Sequence, residues 1–427
     1  MTKKYILPLL LLFLAGFISS CDADIDEFSP DPGEADFSTF VSLGNSLTAG
    51  FMDGELYREG QHNSLGGIMA GQFMHAGLEN FNQPLMRDDL GFGGRLMLAE
   101  VEGQLLPVPM PGSPDPGNYE NIFHTDGPFH NLGVPGARVQ HLLFEGYAAL
   151  NPYYERFAAD IQTSSVLTDA LALNPSFFSL WIGSNDILTY AMSGGEGDNI
   201  LPPEDFSAAY QLLVQQLTQN DALGVTANIP GITQIPYFTT VPYNALLLAD
   251  PDLVNLLNAA YAEAPHISFE VGPNPLVVAD PDHPAGIRQL EADELVLLPA
   301  LDGILNEGWG SEVPIGSEYY LNTTQIEHID AHIAAYNDII SATANEANLA
   351  MADVNQLLLE AEPGIYFDAI AFNTEFVSGG VFSLDGIHLS ARGYAIVANA
   401  FIEAINNQYE ANIPKVAIGN YPGIQFP

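Results

Sequence analysis

From Phe37 onward the chain alternates short, mostly apolar runs with longer segments whose apolar residues recur at helical spacing. The short runs are 39–43, 129–132, 176–182, 225–229 and 349–354, each closing on glycine or polar turn residues. They lack the regular polar alternation of half-exposed strands, which is the mark of strands covered on both faces. Helical periodicity covers 64–75, 137–145, 159–173, 203–218, 324–347 and 390–407. Helices of such length between buried strands are crossovers, so the pattern predicts an α/β fold on a mostly parallel sheet of about five strands. Two stretches break the alternation. Residues 91–127 are rich in Pro and Gly, and 232–322 form a long excursion before the fifth strand. Both are read as insertions over the strand ends, making a cap or subdomain, within a domain spanning 37–410 and followed by a tail at 411–427.

The first 36 residues follow different rules. Lys3 and Lys4 precede thirteen mostly apolar residues, 6–18, and then Ser19, Ser20 and Cys21. This is the plan of a secretory signal, and the run is shorter than the roughly 20 residues that span a bilayer as a helix. Cys21 is the one cysteine of the chain, so no disulfide can form within it. Ile18-Ser19-Ser20-Cys21 resembles a bacterial lipobox, which implies a signal peptide at 1–20, lipidation of Cys21, and export to a membrane, the outer membrane being the expected one. Asp22, Asp24, Asp26 and Glu27 resemble the acidic stretch of surface-displayed lipoproteins, and with the prolines at 30 and 32 they predict a flexible tether over 21–36.

Composition changes the list of partners. Lys and Arg total 10 against 53 acidic residues, a net charge of −43. That excludes nucleic acid as a partner, since phosphate neutralisation needs clustered cations. A field of this sign also disfavours anionic substrates and helps expel carboxylate products.

Four segments carry candidate chemistry. Gly44-Asn45-Ser46-Leu47 follows the first predicted strand and places a serine at the carboxyl edge of the sheet, where open α/β sheets hold ligands. A second glycine after the serine is missing, so the turn is not the nucleophile elbow of α/β-hydrolases. Ser383-Leu384-Asp385-Gly386-Ile387-His388 precedes the last helix, and one loop there supplies an imidazole base and a carboxylate to orient it. A second Asp-x-x-His, Asp280 with His283, lies among prolines in the long insertion and reads as a surface turn. Asn131-Leu132-Gly133-Val134-Pro135-Gly136 and Gly183-Ser184-Asn185-Asp186 follow the second and third strands and offer glycine N–H and Asn amide donors. His328 and His332 stand four apart on a predicted helix, with no third ligand evident, and read as a solvated face.

In order and content these four blocks resemble the SGNH (GDSL-type) hydrolase family over about 39–407. The resemblance implies a three-layer α/β/α, flavodoxin-like fold and a serine esterase or lipase needing no metal or cofactor. It implies Ser46 as nucleophile and first oxyanion donor, Gly136 and Asn185 as further donors, His388 as base and Asp385 as its orienter. Asn45 stands where the family usually has Asp. The expected substrate is a neutral ester, either a lipid or an O-acyl glycan. An O-acetyl esterase or acyltransferase on the same site, and a noncatalytic glycan- or partner-binding lipoprotein, remain open. Leu-rich stretches at 244–257 and 295–305, and Trp309, are read either as substrate contacts or as an insertion core.

Overall fold

The computed structural model describes residues 29–101, 103–197 and 199–427, and the stretch Asp31–Pro427 forms one compact unit. The leader, Cys21 and the start of the tether lie outside the described residues.

The five apolar runs form one sheet: β1 (Phe40–Gly44), β2 (Asn131–Gly133), β3 (Phe177–Trp181), β4 (Leu223–Ala227) and β5 (Ala350–Ala352). All four pairings are parallel and the spatial order is β2-β1-β3-β4-β5. Every residue of β1, β2 and β3 is buried, which explains their near-continuous apolar sequence. The two serines of β1 and β3, Ser42 and Ser179, satisfy one another through an Oγ–Oγ hydrogen bond of 2.7 Å.

Two helical layers close the fold. On one face α2 (Leu65–Phe73) packs on α8 (Ala391–Gln408); on the other, α5 (Pro203–Leu217) packs on α3 (Val166–Leu171) and α6 (Thr323–Glu346). Polar side chains set the starts: Ser64 accepts from Gly67 N–H, Ser390 from Gly393 N–H, and Asn322 exchanges a reciprocal pair of bonds with Gln325. Between them run the short α1 (Ser46–Ala49), α4 (Ser184–Met192) and α7 (Val354–Ala361).

Several expectations need correction. The helix expected over 159–173 is helical only across α3, because Asp160 binds the N–H groups of Gln162 and Thr163 and Ser165 caps a new start. That expected over 137–145 shrinks to one 3-10 turn, Val139–Leu142. The tether ends earlier than predicted: Asp31 pairs with Asn412, and Glu34 N–H bonds Tyr409 O at 2.8 Å. The tail at 411–427 is docked as well, because Asn399 and Asn406 of α8 each clamp its backbone, at Val416 and Ile413.

The long insertion builds its own two apolar clusters, one around Val278, Val296, Ile315 and Tyr320, the other around Leu248, Leu257, Phe269 and Val277. From 244–257, Ala245, Leu246, Leu248, Val254 and Leu257 pack in these clusters while Leu247, Leu253 and Leu256 are exposed; most of 295–305, and Trp309, packs in them or against the main core. The packed residues of both stretches are insertion core. Asp280 accepts from Arg288 and from the Asp282 and His283 N–H groups, so the second Asp-x-x-His is a turn of this subdomain. The insertion meets the rest of the fold at the acid–base loop, where Tyr237 N–H bonds Gly386 O at 2.9 Å. From 91–127, the antiparallel hairpin Leu96–Val101 with Gln104–Pro109 docks against the turn after α1 through Leu96 N–H to Asp53 O, 2.7 Å. Both insertions therefore buttress residues 383–388 from the sides.

Candidate active site

The sheet order reverses at β1, whose successor in the chain lies on one side of it and whose third strand lies on the other. This is the switch point at which open α/β sheets leave a crevice. Ser46 stands there as the first residue of α1. Asn45, buried, caps that helix through Oδ1 to Leu47 N–H at 3.0 Å, a bond that needs only a side-chain oxygen. Asn therefore supplies the helix cap that an Asp would. Gly44 and Gly133 allow the backbones to close around the serine: a Cβ on Gly44 would lie 2.4 Å from Trp181 O, and one on Gly133 would lie 2.4 Å from Ala49 N.

His388 bridges to it. Its Nε2 lies 2.9 Å from Ser46 Oγ across 342 residues of sequence, and its Nδ1 lies 2.8 Å from Asp385 Oδ2. Burial alone would raise the Asp385 carboxyl. The charge and ring N–H of His388, with the His388 and Ile387 N–H groups on Oδ1, hold it well below the usual carboxylate range. Ser383 Oγ and Gly54 N–H add two more bonds to the same carboxylate. A permanent anion at Nδ1 keeps the proton on that nitrogen and leaves the Nε2 lone pair facing Ser46. The Phe51 ring packs beside the imidazole, centroids 4.5 Å apart.

Gly136 sits at φ +79°, with no atom within 4 Å of where a Cβ would be. Its loop is held on several sides: Val134 N–H bonds Gly44 O, Asn151 Nδ2 bonds Pro135 O, and Asn185 Nδ2 bonds Ala137 O at 2.9 Å. An amide nitrogen carries two protons, so Asn185 keeps one for a ligand. The structure thus brings together Ser46, Asp385 and His388, lines one cavity with Ser46, His388 and Asn185, and ties Asn185 to the residue after Gly136. Cys21 lies outside the described residues, and His328 and His332 meet edge to face on α6, their ring centroids 4.4 Å apart.

Sequence reasoning missed five supports. Gly54 and Ser383 hold the Asp385 carboxylate; Asp53 accepts from Leu384 N–H and Tyr57 OH; Asn131 ties Thr48 O to the second block. Gly54 and Asp53 follow the first block closely but match no spacing rule for a second contact with the last loop. Asp186 is the fifth, and its Oδ2 takes the Val139 N–H at 3.0 Å, joining the Gly136 loop to α4.

The family model described as GDSL-like lipase/acylhydrolase matches residues 40–401. No curated protein matches the chain. Among solved structures, LAE5, an alpha/beta hydrolase enzyme from the metagenome of Lake Arreo, Spain, is similar at 13% identity and a TM-score of 0.37, with 87% of this chain and 96% of that one covered. A lipase/acylhydrolase from Enterococcus faecalis matches at 11% identity and a TM-score of 0.35, covering 88% and 100%. Axe2, an acetylxylan esterase from Geobacillus stearothermophilus, here a catalytic mutant, matches at 11% and 0.35, covering 87% and 95%.

Asp186 yields a pH prediction. Burial pushes its carboxyl up to about 7, against the opposing Val139 N–H bond and the charge of Arg138, and its Oδ1 is buried without a partner among the described residues. An acid raised in the folded state holds a proton that the unfolded chain has already lost, so stability falls between its unfolded value near 4 and its folded value near 7, then levels. Asp186→Asn is expected to remove on the order of 3 kcal/mol of the stability loss between about pH 5 and about pH 8 in urea melts. An unchanged pH dependence would show that another group titrates.

Proposed function

This chain belongs to the GDSL-like lipase/acylhydrolase family and is an ester-hydrolysing enzyme, and from that premise we propose that it cleaves carboxylic esters through a covalent acyl-enzyme on Ser46. The observation that carries the reading is the imidazole of His388, hydrogen-bonded at once to a serine hydroxyl and to a carboxylate held ionised.

His388 Nε2 takes the proton as Ser46 Oγ attacks the ester carbonyl carbon, and Asp385 stabilises the imidazolium that results. The developing oxyanion faces the Ser46 N–H, the Gly136 N–H and the free proton of Asn185 Nδ2. Such a donor contributes on the order of 3 kcal/mol in the transition state, because it is oriented before the charge appears. The imidazolium then gives its proton to the alkoxide oxygen of the leaving alcohol. In the second half His388 accepts a proton from water, which attacks the acyl-enzyme, and Ser46 recovers its proton as the acid leaves. No step calls for a metal or a cofactor.

Ser46→Ala should lower ester hydrolysis by about 10⁴-fold or more while leaving the melting temperature nearly unchanged, and His388→Ala should be nearly as severe. Asn185→Ala should cost about 10²-fold to 10³-fold in kcat. Hydrolysis that survives Ser46→Ala would overturn the mechanism.

We further propose that the protein is exported and tethered to the outer membrane through lipid on Cys21, on the strength of the lipobox-like Ile18-Ser19-Ser20-Cys21. Cells fed an alkynyl fatty acid should label the wild type and not Cys21→Ala, and the variant should leave the membrane fraction. Equal labelling, or membrane retention without Cys21, would contradict the anchor.

A further inference from the structure

Beside Ser46 a cavity of about 80 Å³ opens between the carboxyl ends of β3, β4 and β5. Its wall is hydrocarbon: Leu47 from α1, Leu188 from α4, Ile232 from the start of the long insertion, Leu357 from α7, Ile365 beyond it, and Ile387 from the acid–base loop. Five of these six are only half-buried, so they present apolar surface to the cavity while packing on the core behind it.

The polar atoms at this wall are few and mostly committed. Ser46, His388 and Asn185 belong to the reaction, and the Trp181 Nε1–H is bonded to Asn228 O at 3.1 Å. That leaves Ser184 Oγ, buried without a partner among the described residues. A sugar ring placed here would lose water from several hydroxyls and regain one partner, an unfavourable exchange. A methylene chain would lose nothing. At about 80 Å³ the cavity has room for a chain of several methylenes and not for a long acyl tail.

We propose that this cavity is the acyl pocket and that the enzyme acts on esters of medium-length aliphatic acids, with Leu357 a residue that sets chain length. The assignment rests on the serine-esterase reading of Ser46. Buried methylenes raise kcat/KM by about fourfold each where the contact forms in the transition state.

The test uses two ester series with the whole enzyme and Ser46→Ala beside it: p-nitrophenyl esters of acetate through decanoate, which vary the acid, and alkyl acetates of the same lengths, which vary the alcohol. Expected is a Ser46-dependent rise of about fourfold per methylene in the first series, ending near hexanoate to octanoate, and a flat second series. Leu357→Trp, which fills the cavity, should lower the octanoate-to-acetate ratio of kcat/KM at least tenfold. Leu357→Ala should move the optimum to longer acids, and decides the matter if the Trp variant does not fold. A Ser46-dependent but flat acyl profile, or a rise confined to the alcohol series, would overturn the pocket assignment while sparing the serine mechanism. Absence of Ser46-dependent turnover in both series would overturn both.

Discussion

Everything in this molecule converges on the two hydrogen bonds of one imidazole. His388 holds Ser46 on one side and Asp385 on the other at 2.9 and 2.8 Å, and the serine lies 342 positions away in the chain. Neither end can make the contact alone. The strand before Ser46 is the second in the sheet order and is buried along its whole length, so the serine has little freedom of position. On the other side the 383–388 loop is held by Gly54 N–H, by Asp53 at Leu384, and by Tyr237 N–H at Gly386. Those partners come from the turn after α1, which the first insertion braces, and from the second insertion. The insertions therefore brace the loop that carries Asp385 and His388.

The site is costly in the way functional sites tend to be. Asp186 and Ser184 leave buried polar atoms without protein partners among the described residues, and the Asp186 carboxyl is pushed up to about 7 by its burial. Both lie in the first turn of α4, beside Asn185, whose amide joins the Gly136 loop. Ser46 and Asn185 both line the apolar cavity at this corner, and in the proposed mechanism the low polarity that strengthens an oxyanion donor also disfavours a hydrated substrate.

Much of this was legible before any coordinates. The five strands appear within a few residues of their predicted positions because a doubly covered strand has to be apolar along its length, a signal that survives in one sequence. The serine, the histidine and the aspartate were legible because each sits in a short local motif, and the four motifs in order resemble one family. What stayed hidden depends on distance in sequence. Asp160 and Ser165 broke a helix whose apolar spacing looked continuous, because a side chain can outbid the helical hydrogen bond. Gly54 reaches Asp385 across 331 residues, and no periodicity announces such a contact. The Leu-rich stretches of the second insertion looked as fit for a ligand as for a core, and their packed residues form a core; the apolar wall beside Ser46 comes instead from α1, α4, α7, α8 and the segments between them.

The most direct test of the serine acyl-enzyme is its capture. The purified enzyme would be treated with a p-nitrophenyl alkylphosphonate, which phosphonylates an activated serine and releases nitrophenolate, and the adduct mapped by peptide mass spectrometry. The account predicts one phosphonyl group per chain, on Ser46, with loss of ester hydrolysis in step with its incorporation. Inactivation with the label on another residue, or hydrolysis that persists once Ser46 is fully modified, would contradict it.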